Sequence, residues 1–331
     1  MKLPVCIEDI RAAAERIRGH AIETPLLENV DLNQRTGASV FIKPESLQRS
    51  GSFKFRGAFN RLSQLNRNER EAGVVAWSSG NHAQGIAAAA QILDIPATIV
   101  MPHDAPSVKI KNTLSYGAQI VHYDRYKDDR EAIGRHLAEK KKAILVPSYD
   151  DPNIIAGQGT CGLEIVSQLK SIGRTPDKVL VCCGGGGLIA GTSLAIKSHF
   201  PATEVYAVEP VGFDDHRKSL INGTRVENGA NKKSICDALL APIPGEVTFP
   251  INKTTLSGGL VVDDDEVLMG IAYAYSALKL VTEPGGVVAL AALLSGKISA
   301  PGETVVIVLS GGNVDPDLFS KAISSSSIRP T

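Results

Sequence analysis

Four short segments of the sequence combine glycine with small hydroxyl or amide residues, a composition that suits ligand binding. They span residues 50–57, 78–82, 183–187 and 310–313. In open α/β sheets, ligands bind at the carboxyl ends of strands, where the first N–H groups of the following helices are free. Serine, glycine and asparagine are also common caps and turns, so each segment alone fits a structural role. Four such segments in one chain predict a ligand site.

The run of four glycines at residues 184–187 is the sharpest of these signals. Without Cβ atoms, successive N–H groups can close around a phosphate at the start of a helix. The same run fits a dinucleotide site, because Gly185, Gly187 and Ala190 match G-x-G-x-x-A and Glu209 follows about 20 residues later. These residues leave an NAD-dependent oxidoreductase and an enzyme with another phosphate-bearing cofactor as open alternatives.

Lys54 favours the second alternative. It lies between Phe53 and Phe55 in a predicted loop of serine and glycine, and such aromatic neighbours can exclude water from an amine and lower its pKa. A single lysine is more often an exposed surface residue. However, a lysine that forms a Schiff base, together with a separate phosphate cradle, is what pyridoxal phosphate (PLP) requires. A nicotinamide enzyme has no use for Lys54.

The composition agrees with an enzyme for a small molecule. The chain of 331 residues has 35 basic and 35 acidic side chains, which leaves no basic surface for nucleic acid or an anionic membrane. No stretch approaches the roughly 20 apolar residues of a membrane span, and the start has no apolar signal sequence. The five cysteines contain no C-x-x-C pair, and their odd number in a long chain indicates a reducing compartment. We therefore expect a cytoplasmic protein.

Short apolar runs alternate with helical patterns along the chain, which predicts parallel β-α-β units and an α/β fold. The predicted strands span residues 38–43, 73–77, 97–101, 119–123, 143–147, 178–182, 204–208 and 304–309. The predicted helices span residues 57–64, 81–93, 107–116, 128–141, 155–171, 188–198, 264–280 and 287–295.

Prolines and polar residues cluster near residues 43–51 and 147–152, where they predict domain boundaries. A small domain would span residues 48–146. The large domain, which would bind PLP, would comprise residues 1–47 and 147–331.

The motifs together resemble those of the fold-type II PLP enzymes. They read S-G-S-F-K-F-R-G-A, S-S-G-N-H-A-Q-G, A-G-Q-G-T, C-G-G-G-G-L and L-S-G-G-N, and they span roughly residues 20 to 315. The sequence is most similar to the threonine/serine dehydratase (ammonia-lyase) and serine racemase branch. This resemblance implies a tryptophan synthase β-like fold with two open, twisted, mostly parallel sheets and helices on both faces. It also implies a homodimer.

The resemblance implies a role for each motif in binding the cofactor. Lys54 would form the Schiff base and act as the base at the substrate Cα. Asn81 would donate to the phenolic oxygen of PLP, Gly184, Gly185, Gly186 and Gly187 would hold its phosphate, and Ser310 would face its pyridine nitrogen. A hydroxyl there leaves the ring near neutral, which favours elimination over transamination. The same resemblance adds residues to the cofactor site, namely Phe53, Ala238 and Glu283.

The expected substrate is a 3-hydroxy amino acid: L-threonine, L-serine or 3-hydroxyaspartate. Its carboxylate would bind the segment that opens a predicted helix, formed by Ser78, Ser79, Gly80, Asn81 and His82. Loss of water and ammonia would give a 2-oxo acid. A serine racemase is the alternative, with Ser79 returning a proton to Cα on the face opposite the lysine.

The segment V-E-P-V-G-F-D-D predicts a divalent cation site. By the same resemblance, Glu209, Asp215 and the main-chain carbonyl of Phe213 would bind Mg²⁺, Mn²⁺ or Ca²⁺, which prefer oxygen ligands. A solvated acidic turn is the structural alternative.

Two positions depart from the family pattern. Ala238 stands in I-C-D-A where the family commonly has glycine, which leaves the shape of the pocket and the choice of substrate open. Tyr149 occupies a position where the racemase-like members often have asparagine and the dehydratases an aromatic residue, so it favours a dehydratase. A β-replacement enzyme of the cysteine-synthase kind is disfavoured, because Phe55 replaces the aspartate of its S-x-K-D-R motif.

Overall fold

The computed structural model describes residues 3–78, 80–124, 127–230 and 232–325. Short strands alternate with helices along the backbone, as predicted. The strands are β1 (Leu27–Glu28), β2 (Ser39–Pro44), β3 (Val74–Trp77), β4 (Ala97–Pro102), β5 (Gln119–Tyr123), β6 (Ile144–Leu145), β7 (Lys178–Cys182), β8 (Glu204–Pro210), β9 (Gly258–Val262) and β10 (Thr304–Leu309).

Polar side chains cap several of the helices, because the first N–H groups of a helix lack partners within it. Asp151, for example, accepts from two N–H groups at the start of the longest helix. The helices are α1 (Ile7–Ile17), α2 (Val30–Thr36), α3 (Lys54–Ser63), α4 (Arg67–Ala72), α5 (Asn81–Leu93), α6 (Ser107–Ser115), α7 (Arg130–Lys141), α8 (Pro152–Ser171), α9 (Gly187–His199), α10 (Asp215–Asn222), α11 (Thr248–Thr255), α12 (Asp264–Ser276), α13 (Pro284–Leu294) and α14 (Pro316–Ser325).

The strands form two sheets. The larger has six strands in the order β1-β2-β10-β7-β8-β9, and the smaller has four in the order β5-β4-β3-β6. Every pairing is parallel except that of β1 with β2. Central strands such as β4 and β10 are buried along their whole length, as expected for parallel strands covered by helices on both faces. The predicted fold class is confirmed.

The strand order places a ligand site in the larger sheet. From β7 the chain continues to β8 and β9 on one side, whereas β10 returns to the other side of β7. A crevice opens at the carboxyl ends of two parallel strands where the chain turns in opposite directions. The glycine run follows β7, and Ser310 follows β10, so both predicted motifs lie at this point.

The smaller sheet is built only from strands between residues 74 and 145. Its apolar core cluster includes Phe55 and Ile86 and is separate from the cluster around β7 and β10. The domain boundaries at residues 48–146 stay a prediction. Among the described residues, no helix combines the length and apolar character needed to span a bilayer.

The structure corrects several predicted bounds. Helix α3 begins at Lys54 rather than at residue 57, so Lys54 lies in the first helical turn and not in a loop. Helices α8 and α13 begin three residues earlier than predicted, each with a proline in the first turn, a position that proline favours because its missing N–H would be unpaired there. Strands β1 and β9 were not predicted. The first has two residues, and the second begins with Gly258 and Gly259, which have low strand propensity.

Candidate active site

A pocket at the carboxyl ends of β7 and β10 brings together most of the residues that the sequence predicts for cofactor and substrate. Glu283 lies beside this pocket, and Ser79 lies outside the described residues. The predicted residues that line the pocket are Phe53, Lys54, Ser78, Gly80, Asn81, His82, Gly184, Gly185, Gly186, Gly187, Ala238 and Ser310.

Lys54 enters the pocket from the start of α3. Its ammonium group donates to the carbonyl oxygen of Ser148 at 2.6 Å and lies 5.1 Å from the centre of the Phe53 ring. Burial lowers the pKa of Lys54 to about 8, although Cys182 and Glu283 act in the opposite direction. Among the described residues, no carboxylate forms an ion pair with Lys54. A substantial fraction of the amine is therefore neutral and nucleophilic near pH 8.

The glycine run forms one wall of the pocket, and Gly185, Gly186 and Gly187 have no room there for a Cβ atom. A Cβ atom on Gly185 would clash with the ring of Tyr149, and one on Gly186 would clash with His216. Gly186 also has a φ of 91°, which favours glycine. Helix α9 begins at Gly187, so its free N–H groups lie at this wall. A phosphate group fits this arrangement in shape and in charge.

Ser310 closes the pocket at the end of β10. Its N–H donates to Gly286 and its carbonyl oxygen accepts from Phe53, both at 3.1 Å. These bonds leave the hydroxyl group to face the pocket that the residue lines. The thiol of Cys182, whose pKa is raised to about 11 chiefly by burial, lies beside this hydroxyl. A neutral hydroxyl fits an unprotonated pyridine nitrogen.

Asn81 is held in a fixed orientation at the start of α5. Its side-chain nitrogen donates to Glu283, and its side-chain oxygen accepts from Asn313 at 2.8 Å. An amide NH₂ has two hydrogens, so one remains for a ligand. Glu283 thereby orients Asn81, and it is fully buried, which raises the pKa of its carboxyl group. The lysine, the glycine wall, the serine and the amide together fit PLP.

Comparison with known proteins decides between the two cofactors. The model of the pyridoxal-phosphate dependent enzyme family matches residues 17–311. The chain belongs to this family. The dinucleotide interpretation of the glycine run is therefore set aside. Glu209, the residue expected to bind a ribose, instead accepts from the N–H groups of His216 and Arg217 at 2.9 and 2.8 Å.

Relatives in this PLP family align over nearly the whole chain. L-threo-3-hydroxyaspartate ammonia-lyase of Pseudomonas sp is 44% identical over 315 residues, which cover 95% of this chain and 97% of the relative. Serine racemase of Schizosaccharomyces pombe is 41% identical, with 96% and 97% covered. The solved structure of maize serine racemase has a TM-score of 0.90 at 34% identity and 97% coverage of both chains. The predicted family is confirmed.

His82 lies in the segment that the sequence predicts for the substrate carboxylate of this PLP enzyme. Burial, and then the charge of Lys54, lower the pKa of His82 to about 3. Nε2 lies 3.0 Å from the carbonyl oxygen of Val146, to which it must donate as a neutral ring. Nδ1 is then an acceptor, and it has no hydrogen-bond partner in the described structure.

Lys109, from α6, is a pocket residue that the sequence did not reveal. Its ammonium group lies 2.7 Å from Asp237 and 3.5 Å from Glu283. Burial by itself would lower the pKa of Lys109, but the charges of Glu283 and Asp237 outweigh it and raise the pKa. The V-K-I-K pattern around Lys109 fits any surface helix, so no local signal indicates this role.

Arg130, at the start of α7, also lines the pocket and was also missed. Its side chain pairs with no carboxylate of a described residue, so it is a free positive charge at the pocket. Tyr149 lies across the glycine wall, beside Gly185 and Gly187. The position where dehydratases are expected to have an aromatic residue is thus part of the pocket.

The predicted cation ligands lie together at the end of β8, behind the glycine wall. Glu209 and Asp215 are both fully buried, and Asp215 accepts from Asn228 at 2.6 Å. Burial, and then Asp215, raise the pKa of Glu209 well above its ordinary value. Phe213 lies in the turn between β8 and α10, where its N–H donates to Pro210 at 3.0 Å.

The structure adds two residues to these carboxylates that sequence reasoning had not assigned. Cys183 and His216 each present a ligand atom, and with Glu209 these atoms lie within 4.8 Å of one another. We call Cys183, Glu209, Asp215 and His216 the β8 cluster. Cys183 is buried and directly follows β7.

Proposed function

We propose that this PLP enzyme is an ammonia-lyase that converts a 3-hydroxy amino acid to a 2-oxo acid and ammonia, with 3-hydroxyaspartate as the preferred substrate. The observation that carries the reaction type is the amine of Lys54, which has no carboxylate partner among the described residues and lies in one pocket with the glycine wall and a neutral serine. Bound PLP withdraws electrons from the substrate Cα. The residues of the chain bind the substrate and move its protons.

The segment at the start of α5 binds the substrate carboxylate, because the N–H groups of a helix N-terminus attract an anion. His82 remains neutral there and presents Nδ1 as an acceptor. Lys54 takes the proton from Cα, a C=C bond forms between the α- and β-carbons, and the C–O bond breaks. The hydroxide takes up one proton and leaves as water. Water then adds to the C–N bond of the dehydrated compound, which gives the 2-oxo acid and ammonia.

The preference for an acidic substrate is supported by the charges in the pocket. Lys109 is neutralised by Asp237 and Glu283, whereas Arg130 has no carboxylate partner among the described residues. A second substrate carboxylate would pair with the Arg130 guanidinium group in a bidentate manner. Threonine and serine lack a second carboxylate, so Arg130 would not strengthen their binding.

Variants of α7 test this preference. Arg130→Leu should lower kcat/KM for L-threo-3-hydroxyaspartate by about 10–150-fold, since a hydrogen-bonded charge contributes about 1.5–3 kcal/mol. Activity on L-serine should change little. Arg135→Leu on the same helix, where the side chain is exposed, is the matched control. Equal losses on both substrates would contradict a role of Arg130 in substrate choice.

Serine racemase activity is the second candidate, supported by the identity to the racemases of the family. It requires a proton donor on the face of Cα opposite Lys54, the role predicted for Ser79. Ser79→Ala should suppress the conversion of L-serine to D-serine more than the release of pyruvate. If both fall equally, Ser79 does not act as this donor.

The proposal includes a divalent cation bound by Glu209, Asp215 and the main-chain carbonyl of Phe213, and a homodimer as the working form. Two buried carboxylates in one site repel each other unless a cation or a proton is shared between them. Removing divalent cations with a chelator should lower the thermal midpoint of the PLP-loaded protein. Light scattering of the same sample measures its mass in solution and tests the dimer.

A further inference from the structure

Helix α11 contacts the glycine wall from outside the pocket. The hydroxyl group of Thr248, the first residue of this helix, donates to the carbonyl oxygen of Gly185 at 2.7 Å. The N–H group of Gly245 donates to the same oxygen at 3.3 Å. Thr248 is fully buried and does not line the pocket. The carbonyl group of Gly185 therefore points out of the pocket, toward α11.

The direction of this carbonyl group fixes the direction of the next N–H group. In a planar trans peptide, the C=O and N–H bonds point in opposite directions, and none of the described peptide bonds is cis. The N–H group of Gly186 therefore points away from α11 and toward the pocket, which Gly186 lines. Among the described residues, no acceptor bonds to this N–H group. It can donate to an anion in the pocket.

The peptide group between Gly185 and Gly186 lies outside helix α9. The carbonyl of Gly186 accepts from Ala190 at 3.0 Å, so α9 itself fixes its direction. The carbonyl of Gly185 precedes the N-cap, and in the part of the chain that the structure describes its bonding partners are only Thr248 and Gly245. Because glycine adopts both signs of φ, this peptide group could rotate by half a turn without their bonds. Its oxygen would then face the pocket and repel a phosphate group.

Asp150 holds α11 in the position from which Thr248 reaches the wall. Its carboxylate accepts from the N–H groups of Glu246, Val247 and Thr248 at 2.9, 2.8 and 3.3 Å, at the start of the helix. A Cβ atom on Gly245 would clash with this carboxylate, so a glycine permits the close approach. Asp150 thus fixes the first turn of α11 and, with it, the Thr248 hydroxyl group.

We propose that Thr248 is a positioning residue for the cofactor phosphate, and that Asp150 acts through it. The Thr248 hydroxyl keeps the Gly185 carbonyl out of the pocket, so the N–H group of Gly186 stays directed at the phosphate oxygens. The four glycines carry no charged side chain, so the direction of their peptide groups decides how well they bind an anion. The inference rests on the proposed binding of the PLP phosphate at the glycine wall and does not depend on which amino acid is the substrate.

The main test compares PLP with pyridoxal, which lacks the phosphate group. Each is titrated into full-length protein after removal of the cofactor, and binding is followed by the fluorescence of Trp77, the single tryptophan, which lines the pocket. Thr248→Val removes the hydroxyl and nearly keeps the size of the side chain. It should raise the Kd for PLP about 3–10-fold, the contribution of one neutral hydrogen bond. The Kd for pyridoxal should stay unchanged.

Inorganic phosphate gives a second readout that needs no Schiff base. It should compete with PLP in the unaltered protein, and in Thr248→Val its inhibition constant should rise by the same factor as the Kd for PLP. Thr248→Ser, which keeps the hydroxyl, should restore both values. Thr255→Val is the matched control and should change neither, because this other buried threonine of α11 donates to Ile251 of its own helix at 3.0 Å.

Asp150→Ala tests the contact behind Thr248 by the sign of its effect. If only charge mattered, the loss of a negative charge near the wall would strengthen phosphate binding. If Asp150 holds the first turn of α11, its loss should weaken phosphate binding, and we expect a weakening of about twofold or more. Circular dichroism verifies that each variant folds.

The outcomes separate this inference from the proposed function. Equal losses for PLP and pyridoxal in Thr248→Val would indicate a general structural role and overturn the inference, and so would unchanged binding of PLP and phosphate. Stronger phosphate binding in Asp150→Ala would overturn the role of Asp150. If phosphate does not compete with PLP in the unaltered protein, the glycine wall does not bind the cofactor phosphate. Release of 2-oxo acid by the PLP-loaded protein decides the lyase proposal independently.

Discussion

Lys54, which is half-buried, and Lys109, which is buried, line one pocket, and their pKa values shift in opposite directions. Burial lowers the pKa of Lys54 to about 8. Lys109 is also buried, but Asp237 and Glu283 lie 2.7 and 3.5 Å away and raise its pKa. Burial alone therefore does not decide whether a lysine becomes a nucleophile. The absence of a paired carboxylate decides it.

The largest effect on turnover should come from removing the amine of Lys54. Lys54→Ala should lower turnover by at least about 10²–10⁴-fold, the usual contribution of a general base. It should also abolish the mass increase that borohydride reduction gives when PLP is linked to a lysine. Lys109→Met should keep the mass increase. If Lys54→Ala still gains this mass at another residue, the assignment of the Schiff base to Lys54 is wrong.

A smaller effect is expected on the free energy of unfolding, and it should be larger for a substitution of Lys109 than for one of Lys54. Lys109→Met leaves Glu283 buried beside Asp237 without their shared cation, and breaking such a buried pair costs about 3–5 kcal/mol. We expect about 3 kcal/mol in the free energy of unfolding at pH 7, because Glu283 can take up a proton instead. Denaturant unfolding measures this value. Lys111→Met, at an exposed position of the same helix, should change it little.

The smallest expected effect is on the pH dependence of covalent PLP uptake. Below pH 8 Lys54 is mostly protonated, so the rate at which the cofactor-free protein takes up PLP covalently should rise with pH through a midpoint near pH 8. An ordinary lysine would keep gaining reactivity up to about pH 10.4. Glu283→Gln removes a charge that raises the pKa of Lys54, so it should move the midpoint to lower pH. An unchanged midpoint would show that Glu283 acts on Asn81 alone. Stopped-flow absorbance measures the rate of PLP uptake by the unaltered protein and by the Glu283→Gln variant.

The sequence was most informative where function depends on a run of neighbouring residues. The glycine wall, the lysine between two phenylalanines and the serine after β10 are each local motifs that follow strands, and parallel strands end at one edge of a sheet. The start of α3 was less predictable. Phe53, Lys54 and Phe55 are compatible with a loop, and only packing against α5 and α8 extends the helix to Lys54.

Residue types and local spacing by themselves indicated the α/β fold class and the lysine, glycine and serine motifs of this protein, and the resemblance of these motifs to those of known enzymes indicated the family. Only the tertiary structure decided which charged and polar side chains from separate elements lie within contact distance. Lys109 and Asp237 are 128 residues apart in the chain, and Cys183 meets His216 because β7 pairs with β8. Ion pairs and metal ligands depend on distances of a few ångströms between separate elements. A single sequence does not specify these distances until its helices pack on the sheets.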